Sequence, residues 1–219
     1  MCGIFGWYLP SFEQTGLGLY KEVVTALFRL SESRGKEAAG LALADDSRIE
    51  VLRAPLPASK FIATQEFGFF WDSFLASCTL GNSFGAIGHA RLATNGLQDN
   101  VQNNQPVIRD SVTLVHNGII LNEDALWRQI GKHPATELDS EVLAAAIAHG
   151  IGSNESPDAV VASLFRQIKG SASIGFFAQD VPGLFICTNN ASLYQVRIDD
   201  FFIFASERIF LQQLLKIIF

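Results

Sequence analysis

The chain opens on an apolar run, Cys2-Gly3-Ile4-Phe5-Gly6-Trp7-Tyr8, preceded by Met1 and closed by Pro10. Such a run reads as a buried strand. The first element is therefore an interior one, and the residue that leads into it carries a thiol. An aminopeptidase trims Met1 when a small residue follows, and Cys qualifies. The new terminus would pair a thiol of pKa about 8.5 with an α-amine of pKa about 7.7–8.0. That is a nucleophile and a general base on one residue, linked directly or through one water. By position alone, Cys2 is equally a small apolar residue opening a strand.

The remaining apolar patterns fill in an order of elements. Leu17, Tyr20, Val24, Leu27, Phe28 and Leu30 recur at helical spacing and predict a helix over 18–31. Residues 38–44 and 49–52 read as a strand pair across the turn formers Asp45-Asp46-Ser47. The aromatic stretch 67–80 is expected to be helical, with Phe67, Phe69, Phe70, Trp71 and Phe74 as core. Apolar runs at 84–88 and 112–115 read as strands that end in polar loops, and 95–105 as a long, Asn-rich loop. Helices are expected at 122–131, 139–149 and 157–169, the last with Ser156 as N-cap and Pro157 at its first position. Strands at 173–178, 184–188, 193–196 and 201–205 and a helix from Ser206 complete the chain. Strands at both ends with helices between them suit antiparallel sheets with segregated helices, an α+β class.

Length and composition narrow the function. At 219 residues, 48 % hydrophobic and 17 % charged, the chain fits one sizeable globular domain. A net charge of −6, with no cluster of Lys or Arg, argues against nucleic acid or an anionic membrane as partner. Three scattered cysteines, Cys2, Cys78 and Cys187, make neither a disulfide framework nor a zinc site. Cys78 and Cys187 are expected as buried core thiols. The N-terminal run lacks the basic region of a signal peptide, and no apolar run approaches a membrane span. A reducing, cytoplasmic compartment suits a reactive thiol.

Five segments carry the chemistry. They are Met1-Cys2-Gly3-Ile4-Phe5-Gly6, Arg34-Gly35-Lys36-Glu37-Ala38-Ala39-Gly40, His89-Ala90-Arg91-Leu92-Ala93-Thr94-Asn95-Gly96, His116-Asn117-Gly118-Ile119-Ile120 and Asp139-Ser140-Glu141-Val142. In order and separation they resemble the class II glutamine amidotransferase domain, over essentially the whole of 1–219. His116 to Ile120 is most similar to the glutaminase domain of glucosamine-6-phosphate synthase. Asn103-Asn104-Gln105-Pro106 and Ala205-Ser206-Glu207 are more like that of phosphoribosylpyrophosphate amidotransferase.

The resemblance implies a four-layer αββα sandwich of the N-terminal-nucleophile hydrolase type. It implies hydrolysis of the L-glutamine side-chain amide through a thioester on Cys2, with the ammonia passed to a synthase that this chain does not contain. Asn117 and Gly118 would stabilise the oxyanion, and Arg91 would bind the substrate α-carboxylate bidentately. Asp139 would take the α-ammonium, Thr94 would complete the pocket, and Arg34 and His89 would support it. Asp139 could instead cap the helix that it opens, or do both. Leu92 and Asn95 depart from the Trp and His of the synthase pattern, which touches closure of the loop over glutamine. No motif implies a metal or an organic cofactor.

Two rivals stand beside this reading. A different N-terminal-nucleophile amidohydrolase would not need Arg91 and Asp139 as a zwitterion clamp. A catalytically silent regulatory module would not need Cys2. The apolar end of the chain, Phe210 to Phe219, is expected to pack on something.

Overall fold

The computed structural model describes residues 2–13, 16–92, 101–179 and 181–218. In chain order the elements are β1 (Gly3–Leu9), α1 (Leu17–Ser31), β2 (Ala38–Asp45), β3 (Ile49–Ala54), α2 (Ala58–Phe61), α3 (Gln65–Ala76) and β4 (Phe84–Arg91). They continue with β5 (Val107–Arg109), β6 (Val112–Ile120), α4 (Glu123–Ile130), α5 (Ser140–Gly152) and α6 (Pro157–Gln167). The chain ends with β7 (Gly170–Ala178), β8 (Val181–Thr188), β9 (Tyr194–Ile198), β10 (Phe201–Ala205) and α7 (Arg208–Ile218). The strands form two antiparallel sheets, one in the order β3-β2-β4-β1-β10-β9 and the other β5-β6-β7-β8.

Three apolar layers separate four structural ones. Phe5, Trp7, Phe84 and Ile203 on the larger sheet meet Leu27, Phe28, Phe67, Trp71 and Leu214 of α1, α3 and α7. Leu114, Ile174 and Phe176 on the smaller sheet meet Val142, Leu143, Ile147 and Leu164 of α5 and α6. Between the sheets lie Ile4, Ile87, Val115, Phe177 and Phe204. This is the αββα sandwich. It explains why β1 reads as a continuous apolar run: a strand buried on both faces has no polar side to alternate with.

Phe204 shows how closely the sheets approach. A Cβ on Gly6 or on Gly175 would run into its ring, so glycines on both sheets clear the space that it fills. On the outer face Trp7 and Phe84 meet edge-on, with ring centroids 4.8 Å apart.

Most of the expected elements lie within a few residues of their sequence positions, with instructive differences. β4 does not stop at Gly88 but continues through Arg91, and β6 continues through Ile120. The polar motifs thus sit on strands rather than in loops, because backbone pairing extends where side-chain hydropathy changes. The 67–80 stretch is helical only to Ala76; Thr64 caps α3 by accepting from Phe67 N, and Phe69 points outward at 77 % exposure while Phe67, Trp71 and Phe74 are buried. The short β5 and α2 are too brief to leave a periodic signature. Cys78 and Cys187 are half-buried rather than buried, each packed at the margin of an apolar layer. The apolar end of the chain packs within this same domain, where α7 sets Phe210, Leu211 and Leu214 into the outer core. Among the described residues no helix is long and apolar enough to cross a membrane.

Candidate active site

The two sheets are open at one end, where their strands deliver the five motifs. β1 and β4 pair with Gly3 opposite Ala90 and Ile4 opposite His89. One step further along that register sets Cys2 beside Arg91. On the other sheet β6 ends in His116 to Ile120, and the start of α5 brings Asp139 and Ser140. Cys2, His89, Arg91, Leu92, Gln105, His116, Gly118, Leu138, Asp139 and Ser140 line one narrow cleft of about 350 Å³, its open mouth included.

The Cys2 thiol lies in this cleft, with Sγ donating to the Leu92 carbonyl at 3.6 Å. Burial pushes the thiol up, opposed by the Leu92 backbone and by the Arg91 charge. Arg91 is only 3 % exposed, and its Nη1 donates to Asn104 Oδ1 at 2.6 Å. The backbone beneath it is supported from the segment that leads into β2: Glu37 N donates to the Arg91 carbonyl at 3.1 Å, and a Cβ on Gly35 would overlap the Arg91 carbonyl.

Gly118 adopts φ +156°, and a Cβ there would overlap the Ser171 carbonyl, so only glycine fits. Asn117 alternates to the opposite face of β6. It shares that face with Val115, between the sheets, the layer into which β4 also carries His89 and Arg91 beyond Ile87. Its side chain is 1 % exposed, and neither amide atom has a protein partner. Native proteins seldom leave buried amides in that state away from a functional site.

Asp139 occupies the N-cap position of α5, but its side chain makes no capping bond. Oδ2 instead accepts from Ile120 N at 2.8 Å, tying the helix start to the end of β6. Capping is thus excluded as its role. The turn before it is pinned by Glu141, 1 % exposed, whose carboxylate accepts from Ala135 N, Thr136 N, Thr136 Oγ1 and Arg109 Nη1, the last at 2.6 Å.

His89 is buried with both ring nitrogens unpartnered. Burial, reinforced by the charge of Arg91 and by His116, lowers its pKa to about 3, so the ring is neutral. Arg34 stays outside the cleft and pairs with Glu207 at 2.9 Å. The neighbouring Ser206 exchanges two hydrogen bonds with Ile4, Ile4 N donating to Oγ at 3.2 Å and Ser206 N to the Ile4 carbonyl at 2.8 Å. Thr94 and Asn95 lie outside the described residues. No cluster of His, Cys, Asp and Glu among the described residues could hold a metal.

Three cleft residues had no role assigned from sequence. Gln105 Oε1 accepts from His116 N at 2.6 Å, Gln105 Nε2 donates to Ser140 Oγ at 3.0 Å, and His116 Nδ1 lies 3.1 Å from Ser140 Oγ. The available signal was their position inside or beside the recognised motifs; nothing in residue type alone distinguishes them.

With this geometry in place, the chain can be set against known proteins. Residues 89–213, more than half of the chain, match the glutamine amidotransferase domain family, and the chain belongs to that family. The amidophosphoribosyltransferase of Mycobacterium tuberculosis (strain ATCC 25618 / H37Rv) is 31 % identical over 200 residues, which cover 85 % of this chain and 34 % of that protein. The glutamine–fructose-6-phosphate aminotransferase of Bradyrhizobium diazoefficiens is 34 % identical over 180 residues, 80 % of this chain and 26 % of that one. The chain therefore spans about a quarter to a third of the length of these relatives. The glutamine phosphoribosylpyrophosphate amidotransferase of B. subtilis, solved with ADP and GMP, shares the fold at a TM-score of 0.69 and 21 % identity, over 97 % of this chain and 43 % of that one.

Proposed function

We propose that residues 1–219 form a glutaminase domain that hydrolyses L-glutamine to glutamate and ammonia. The observation that carries the proposal is the convergence, in one cleft, of the Cys2 thiol, the Arg91 guanidinium, the Asp139 carboxylate and the Gly118 backbone. A nucleophile between a fixed cation and a fixed anion suits an amide whose far end is a zwitterion. After loss of Met1, the α-amine of Cys2 takes the thiol proton. The thiolate attacks the glutamine Cδ, and the tetrahedral oxyanion is stabilised by the Gly118 N–H and the Asn117 amide. Collapse breaks the C–N bond; the proton returns to the leaving nitrogen and ammonia departs. Water then attacks the thioester, releasing glutamate and restoring the thiol. Thr94, by family resemblance, is a further substrate-binding residue, and Arg34 and His89 hold the strands that shape the pocket.

The ammonia is consumed by a synthase domain or subunit that takes a phosphorylated sugar. Two acceptor types are open. A sugar-phosphate amidotransferase fits the His116 to Ile120 motif. A phosphoribosylpyrophosphate-type acceptor fits Asn103 to Pro106, whose Asn104 accepts from Arg91.

The test is glutamate release by the chain, with intact mass to establish loss of Met1. Cys2→Ala is expected to abolish release while glutamine still binds, because the clamp residues lie on other strands. A single adduct with a glutamine-mimicking electrophile, absent in Cys2→Ala, is expected alongside. Unchanged turnover from a chain with a blocked N-terminus would remove the α-amine as base, and turnover by Cys2→Ala would end the proposal.

A further inference from the structure

We infer that Ser140 is a positioning residue for recognition of the substrate α-ammonium, a hydroxyl whose single proton turns between Asp139 and His116 as the ammonium arrives and leaves. The inference rests on the glutaminase reading above and names a residue that reading does not use.

Ser140 is 1 % exposed and sits in the first turn of α5. Its Oγ has three polar neighbours: Gln105 Nε2 at 3.0 Å, His116 Nδ1 at 3.1 Å and Asp139 Oδ1 at 3.3 Å. A hydroxyl offers one proton and two lone pairs. Gln105 uses a lone pair, and its amide cannot be flipped, because Oε1 must face the His116 N–H at 2.6 Å. One proton is then left with two acceptors. We take the His116 ring proton on Nε2, the nitrogen that lies with the Ser171 carbonyl beside Gly118, which leaves Nδ1 a lone pair toward Ser140.

Asp139 is held from the other side by Ile120 N on Oδ2. Ser140 is thus the group that aims Oδ1. When an ammonium donates to Oδ1, the hydroxyl can rotate to His116 Nδ1 without moving the carboxylate. The carboxylate stays preorganised in both states, and the Ser140 hydroxyl keeps an acceptor in each. The same contacts join the clamp to the oxyanion strand, since Gln105 bonds to His116 and Asp139 to Ile120, both on β6.

A merely structural serine would act on every ligand of the cleft; this one acts only on ligands with an α-amine. The experiment compares L-glutamine with glutaramate, the same molecule without the amine, in Ser140→Ala and Ser140→Thr. Dissociation constants are read by calorimetry in the Cys2→Ala background, and KM and kcat in the chain that retains Cys2. Ser140→Ala is expected to weaken glutamine about tenfold or more, in both Kd and KM, as loss of a hydrogen bond to a charged group does. It should leave kcat within about threefold and glutaramate unchanged. Ser140→Thr, which keeps the hydroxyl, should restore glutamine binding. Equal weakening of both ligands, or of neither, would overturn the inference. Should Ser140→Ala fail to fold, Ser140→Cys, a weak donor, must show the same split between ligands. Failure of the unmodified chain to turn over glutamine, with the split intact, would end the glutaminase reading alone. Failure to bind glutamine would end both.

Discussion

The layer between the two sheets has two halves of opposite chemistry. β4 passes from Ile87 to His89 and Arg91, and β6 from Val115 to Asn117, so each strand crosses from hydrocarbon to polar side chains within one face. In the apolar half, Ile4, Ile87, Val115, Phe177 and Phe204 are removed from water, which contributes roughly 1.5–3 kcal/mol for each large side chain. In the polar half, the ring nitrogens of His89 and the amide of Asn117 are buried without protein partners, at about 1–3 kcal/mol of cost for each unsatisfied group. One half holds the sheets together while the other keeps polar groups fixed and unspent for a ligand. Residues that build a catalytic cleft are ones that packing alone would not select.

The contrast can be broken most severely at Phe204. Phe204→Ala removes the ring that fills the space left by Gly6 and Gly175, and neither glycine can grow into it. A loss of about 3–5 kcal/mol is expected. Chemical denaturation measures it, and a loss below about 1 kcal/mol would mean that the sheets close up over the gap.

Asn117 should behave in the opposite way. Asn117→Ala is expected to lower kcat by roughly 10²–10³-fold, as loss of an oxyanion donor does, with KM little changed. Its stability should be unchanged or higher, because a buried amide without a partner is removed. Steady-state kinetics and a melting curve on the same sample test both parts; destabilisation by several kcal/mol would place Asn117 with the core.

A smaller effect separates the halves by pH. His89 has a folded-state pKa of about 3 against an ordinary 6.5, so the unfolded chain binds the proton first. Its contribution to stability is therefore present above about pH 6.5 and is lost as pH falls toward 3. Between pH 7 and pH 5 the loss from this group is about 2 kcal/mol. Denaturation midpoints at the two pH values should differ accordingly, and His89→Gln should reduce the difference. An unchanged slope in that variant would assign the acid sensitivity elsewhere, with the buried His116 the next group to test.

Reading the fold from sequence worked where one period dominates. The helix over 18–31 and the Ser156-Pro157 start of α6 are local facts, set by apolar spacing and by a side chain that caps its own helix. It fell short at β4 and β6, where hydropathy changes within a strand that backbone pairing carries on. The site was legible as separate motifs, and family resemblance rather than spacing joined them. Its supporting bonds were not legible. That Glu141 pins the turn before Asp139, or that Gln105 bridges β6 and α5, depends on contacts between residues far apart in the chain.

The amino-acid sequence by itself determined that Cys2 leads a buried apolar strand, that Asn117 is followed by a glycine that allows close approach, and that Arg91 and Asp139 stand in motifs of opposite charge. These follow from residue chemistry, because size, charge and hydropathy belong to each side chain wherever it lies. Tertiary structure alone decided which face each motif presents. It set Asn117 between the sheets and Gly118 in the cleft, turned Asp139 from its own helix to Ile120, and brought the Ser140 hydroxyl against Gln105, His116 and Asp139. Those outcomes depend on register between strands, and on an alternation that turns over with a shift of one residue.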